Sequence, residues 1–74
     1  MTEDQLTYFT SIVECGSYSE TALELDISQS TISKQVAQLE SELNIKLFDR
    51  STRKSSLIPE GEALYPEAAA LLSQ

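Results

Sequence analysis

Over the first 43 positions apolar residues recur at the three- and four-residue steps of an α-helix, broken twice by short polar stretches. In the first segment Leu6, Phe9, Ile12 and Val13 share one side, and the pattern predicts a helix from Thr2 or Glu3 to Cys15 with Gly16 as a left-handed terminator. Glu3 and Asp4 suit the positive end of its dipole. A short second helix is predicted over Ser19 to Leu25, capped either by Ser17, with Glu20 three residues on as a capping box, or by Ser19. Its small residues Thr21 and Ala22 allow close approach by a neighbour. After the turn Asp26-Ile27, where Ile27 is expected to plug the core, Ser28 caps a third helix that Asn44 closes. There Ile32, Val36, Leu39 and Leu43 fall at steps of four, three and four, one narrow stripe at about 100° per residue. Ser30, Ser33, Lys34, Ala37 and Ser41 then point the other way. Two helical patterns joined by so short a break spell a helix-turn-helix.

From Ile45 to Phe48 the apolar content continues without helical spacing and stops at Asp49, which predicts a short strand, with Leu57 and Ile58 as its return partner. Residues 50–55 between them are polar and basic and would form the tip of a hairpin, a wing. Helical spacing resumes at Pro59, a residue tolerated in a first helical turn, while Pro66 should bend or weaken the helix it interrupts. Leu64, Ala68, Leu71 and Leu72 make its apolar side. So small a domain leaves this last helix little to cover, so its stripe is expected to meet a second copy of the chain, the alternative being its own domain.

At 74 residues the chain makes one small domain, near the size at which a core yields only about 3–5 kcal/mol. With 41% hydrophobic residues, 2 Gly and 2 Pro it reads as globular. No apolar run nears the roughly 20 residues that span a bilayer, and MTEDQLTYF carries acids where a secretory leader carries bases. The cytoplasm is the expected compartment, which suits a lone Cys15 without an internal disulfide partner. The net charge of −7 argues at first against nucleic acid. Its distribution argues otherwise. Residues 27–39 hold Lys34 and no acid, residues 50–59 hold Arg50, Arg53 and Lys54 and no acid, and all twelve acids fall elsewhere with Lys46. A helix face of small and cationic residues can enter a DNA groove without repulsion. Absence of His excludes a Ser-His-Asp triad and an HExxH zinc site, and one Cys cannot build a usual zinc ligand set. Cys15 is expected to be a small buried or half-buried residue. Glu40 and Glu42 read as solvated helix surface, and neither an enzyme nor a bound cofactor is expected.

QLTYFTSIVECGSYSETA, DISQSTISKQVAQLESELNIKLFDR and LIPEGEALY, taken in order, resemble the N-terminal DNA-binding domain of LysR-type transcriptional regulators over nearly the whole chain. The carrying features are the Gly-Ser-aromatic turn, the small pair Thr21 and Ala22, the Ser-Gln start of the third helix, Leu-Glu before its end, and Leu-Phe-Asp-Arg leading into the wing. The resemblance implies a mostly α, winged helix-turn-helix fold: three helices, a short β-hairpin wing and a C-terminal linker helix. Residues 1–58 would form the DNA-binding domain and 59–74 the linker and dimerisation helix. It further implies a homodimer joined through the linker helices, a recognition helix in the major groove and a wing near the minor groove. The larger effector-binding domain that follows in the family has no counterpart in these residues, so the chain is expected to be a piece of a longer regulator, with any small-molecule inducer bound in the other part. Three departures stand out: Ile58 where the family often has a capping Thr or Ser, Glu20 where a base is frequent, and the acidity itself, which predicts weak nonspecific binding.

Candidate contacts follow from position. Gln29, Ser30, Ser33 and Lys34 lie on the first turns of the third helix, where Gln can pair with adenine and Lys can donate to guanine. Ser28 can bond a phosphate besides capping, and Thr31 lies at the helix edge. Arg50, Arg53 and Lys54 would meet phosphates or the minor groove, with an ion pair to Asp49 or Glu60 as a competing role for Arg50. Tyr18 is expected to pack on the second helix, its hydroxyl within reach of a phosphate. The partners implied are double-stranded DNA and a second copy through Leu64, Ala68, Leu71 and Leu72, with no membrane. The rival is a winged-helix protein-interaction module whose acidic surface engages a basic partner. Such a module has no reason to exclude acids from both the reading face and the wing.

Overall fold

Thr2 and Gln5 start the first helix by satisfying each other's backbone. The Gln5 N–H donates to Thr2 Oγ1 and the Thr2 N–H to Gln5 Oε1, each at 3.1 Å, a reciprocal capping box. The computed structural model describes residues 2–49 and 56–73. Its elements are α1 (Glu3–Cys15), α2 (Tyr18–Leu25), α3 (Gln29–Leu43), β1 (Phe48–Asp49), β2 (Ser56–Leu57) and α4 (Pro59–Leu72). Of the two caps open for α2, Ser17 is the one used, accepting from the Glu20 N–H at 3.1 Å, and α2 starts one residue earlier than expected. Ser28 caps α3. Gly16, Asp26 and Asn44 close α1, α2 and α3 in the left-handed region, with φ of 86°, 57° and 57°. Short polar Asp and Asn side chains tolerate that conformation, which makes each break tight.

α1 is central and packs against α2, α3 and α4. Leu6, Phe9 and Ile12 are buried, with Tyr8 and Val13 packed at the margin. Polar Gln5 and Thr10 widen this buried face. Thr10 is admitted because its hydroxyl donates back to the Leu6 carbonyl at 3.0 Å, and Gln5 reaches Gln35 Oε1 on α3 at 3.4 Å. Ile32, Val36 and Leu39 of α3 have no exposed surface, and Leu43 is partly buried. Phe48 lies against Phe9 with ring centroids 5.6 Å apart and edge-on to Tyr18 at 5.8 Å. Tyr18 is therefore a core residue, where a pack onto its own helix was expected.

The strands differ from expectation by position. Ile45 still belongs to the closure of α3, its N–H donating to Glu40 O at 3.1 Å, and the antiparallel ladder is Phe48↔Leu57 and Asp49↔Ser56. Ile58 is the N-cap of α4, with no side-chain hydrogen bond, and Pro59 follows in the first turn. The expected wing tip, with Arg50, Arg53 and Lys54, lies outside the described residues. Glu40, expected as solvated surface, instead accepts from the Leu47 N–H at 2.7 Å and the Phe48 N–H at 3.4 Å, tying α3 to the chain entering β1.

α4 runs unbroken through Pro66. The expectation that it has little to cover in its own domain is overturned, because α1 still offers it an apolar flank. Ala68 is fully buried there, Leu64 and Leu72 pack against the same core, and the Tyr65 hydroxyl donates to Glu14 Oε2 at 3.0 Å. Among the described residues no helix is long and apolar enough to cross a membrane.

Cys15 is half-buried. Its thiol donates to Glu24 Oε2 at 2.8 Å, linking the end of α1 to α2. This hydrogen bond, with burial adding to it, holds the thiol above its ordinary pKa, so the thiolate fraction at a given pH is reduced. Glu24→Gln is expected to lower that pKa and speed alkylation by iodoacetamide near pH 8. Equal rates for the two proteins would show that the carboxylate does not govern the thiol.

Candidate nucleic-acid interface

The roll of α3 is set by its sealed stripe. With Ile32, Val36 and Leu39 fully buried against α1 and α2, the opposite side can only face outward. Ser28, Gln29, Ser30, Thr31 and Lys34 are all exposed, as are Ala37 and Ser41 one and two turns further on, while Ser33 is half-buried on the flank of this face. The structure thus brings together every α3 residue expected at the site.

The start of α3 is dense in hydroxyl groups. Ser28 Oγ accepts from the Thr31 N–H at 3.2 Å and lies 2.7 Å from Thr31 Oγ1 and 3.2 Å from Ser30 Oγ. No acid occupies this first turn, although acids stand in the first turns of α1, α2 and α4. Within the helix nothing acidic opposes the partial positive charge of the α3 N-terminus, although Asp26 stands two residues before its cap. Ser19, one of the cap candidates for α2, instead donates its hydroxyl to Gln29 Oε1 at 3.2 Å. That bond orients the Gln29 amide, a positioning role not visible in spacing because the two residues sit on different helices. Gln38, exposed one turn beyond Lys34, also borders the face, and its i+4 relation to Lys34 is the signal that could have found it. Lys46, Asn44 and Ile45 line a groove with Ala37, Glu40 and Ser41 at the far end of α3, so the fifth base of the chain stands beside this face together with the Glu40 carboxylate.

The sequence profile of bacterial regulatory helix-turn-helix proteins of the lysR family matches residues 4–62. The chain belongs to the lysR family. A probable RuBisCO transcriptional regulator of Cyanidioschyzon merolae is 43% identical over 72 residues, covering 97% of this chain and 24% of the relative. The solved complex of the BenM DNA-binding domain with catB site 1 DNA matches with a TM-score of 0.95 at 40% identity, over 99% of this chain and 81% of that one. Full-length CbnR complexed with its target DNA matches at 0.94 and 34% identity, over 99% of this chain and 25% of that one. The chain thus spans about a quarter of the length of the C. merolae relative and 47% of that of an HTH-type transcriptional regulator from Azotobacter vinelandii. Within the lysR family this domain keeps the helix-turn-helix in α2 and α3 on a four-helix, mostly α frame. α4 departs from the expected partner contact in one respect: Ala68 has no surface left to offer a second copy, whereas Leu71 is 51% exposed.

Proposed function

We propose that this lysR-family domain binds double-stranded DNA sequence-specifically and so places a transcription regulator on its promoter. The observation carrying this reading is the outward side of α3, free of acids through its first turns and locked in direction by three fully buried residues. The match to DNA-bound BenM and CbnR supports it. In the proposal Lys34 and Gln29 reach base edges in the major groove, and Ser30 and Ser33 contact them at shorter range. Ser28 and Thr31 hold phosphate at the helix start. Arg50, Arg53 and Lys54 form a wing on the adjacent backbone or minor groove. Residues 1–58 are the binding unit and 59–74 the linker, with dimerisation carried by the exposed side of α4 at Leu71 and the outer edges of Leu64 and Leu72. The role is binding and not catalysis, it requires no cofactor, and the cytoplasm is its place because the chromosome is there.

Selection from a randomised duplex pool at low salt, followed by anisotropy titration, tests this directly, and no enrichment of any sequence would refute it. On the selected duplex Lys34→Ala is expected to weaken binding by about 1–3 kcal/mol, roughly 5- to 150-fold, and to relax preference at one position. Arg53→Ala should weaken all sequences alike and flatten the salt dependence by about one ion. Equal losses on all duplexes for both variants would remove Lys34 from the base-reading set.

A further inference from the structure

α2 carries an apolar surface, Ala22 and Leu23 with Ile27 beyond it, that the DNA reading leaves unused. Leu23 is 82% exposed, an aliphatic side chain almost wholly in water. It borders a groove of about 480 Å³ between α2 and the start of α3, whose apolar lining is Ala22, Leu23 and Ile27 and whose polar lining is Ser19, Asp26, Ser28 and Gln29. On the helix surface Glu20 lies three residues before Leu23 and Asp26 three after, both exposed, with exposed Glu24 next to Leu23. Residues 17–33 contain no base. The result is a small apolar centre with a rim of one charge sign, the arrangement of a specific protein contact.

The rim selects the occupant. An anionic membrane is repelled by it, and DNA is repelled from Glu20, Glu24 and Asp26 even where it meets Ser28 and Gln29 at the groove's edge. A second copy of this chain, itself at −7, would set acid against acid. We infer that the Leu23 patch docks a basic segment of another protein, one presenting an aliphatic or aromatic anchor for the Ala22–Leu23–Ile27 groove between Lys or Arg residues that meet Glu20, Glu24 and Asp26. Ser28 and Gln29 line the groove at the start of α3, so the docked segment would overlap the edge of the DNA face at these two residues while leaving Lys34 uncovered. This inference does not depend on DNA binding, and its first test uses no DNA.

The probe is a synthetic amphipathic helical peptide of leucine and lysine, with a control in which serine replaces every leucine. Titrated into the 15N-labelled domain, the leucine peptide is expected to shift the amides of Ala22, Leu23, Asp26 and Ile27 before those near Glu3, Asp4, Glu60, Glu62 or Glu67. Leu23→Ser should weaken it about tenfold, the loss of one buried aliphatic side chain, and leave the weaker binding of the serine control unchanged. Leu23 is so exposed that the variant keeps its fold, which the same spectra verify. No binding, shifts spread evenly over all acidic surfaces, or an affinity indifferent to Leu23→Ser would each overturn the inference. Affinity of Leu23→Ser for the selected duplex is expected to be unchanged; a loss there would assign Leu23 to the DNA face and would also overturn it.

Discussion

Phe9→Ala is expected to leave about half of the molecules or more unfolded at 25 °C. Phe9 has no exposed surface and its ring lies 5.6 Å from that of Phe48, so it joins the central helix to the chain entering the first strand. Truncating a buried phenylalanine costs about 3–5 kcal/mol through lost burial and the cavity left behind, which equals what a core of this size supplies. Neither neighbour can collapse into the space easily. Phe48 is held edge-on to Tyr18, and the Leu47 and Phe48 amides are anchored on Glu40. Far-UV circular dichroism with a urea titration reads the outcome. A cooperative transition displaced by less than about 1 kcal/mol would mean that Phe9 is not the keystone its burial suggests.

A second expectation has a sign opposite to propensity. Glycine inside a helix is ordinarily about 1 kcal/mol worse than alanine, so Gly61→Ala in α4 would normally stabilise. Here a Cβ at position 61 would stand 2.5 Å from Leu57 Cδ1 and 2.6 Å from the Leu47 carbonyl oxygen. The leucine tip can turn away, but the carbonyl cannot, because it accepts the Ile58 N–H at 3.0 Å just where α4 begins. Relief therefore requires moving the start of α4 off the hairpin base, and Gly61→Ala is expected to destabilise by about 1–3 kcal/mol. Ala63→Gly, at an exposed position of the same helix, supplies the comparison and should lose about 1 kcal/mol by propensity alone. Urea titrations of both variants decide it. Stabilisation by Gly61→Ala would show that α4 does not approach the Leu47 carbonyl so closely.

The outward placement of Ser30 and Lys34 on α3 was legible from spacing, and that of Ser28 and Gln29 from their place in its first turn. Three buried residues at helical steps leave only one outward direction, and the caps Ser28 and Asn44 bound the segment that carries it. Ser19 at the site and Glu40 in the fold were not legible, because both act across elements: a hydroxyl on α2 orienting a side chain on α3, and an α3 carboxylate holding amides seven and eight residues on. The buried width of α1 was also hidden. Gln5 and Thr10 count as polar in any hydrophobic pattern, yet they enter the core once their polar atoms are bonded, Gln5 to Gln35 Oε1 and Thr10 to Leu6 O.

By itself, then, the amino-acid order determined the bounds of α1 and α3, the start of α4, the start of α2 to within one residue, and which face of α3 is left outward, since these depend on local capping and a helical period that any one segment carries alone. Only the tertiary structure decided that α1 is the hub, that α4 closes on it through Ala68, and that Leu23 stands in water beside a groove. Those outcomes depend on which elements meet. Contact between distant elements is settled by shape and by the pairing of polar groups, neither of which a periodicity within one segment contains.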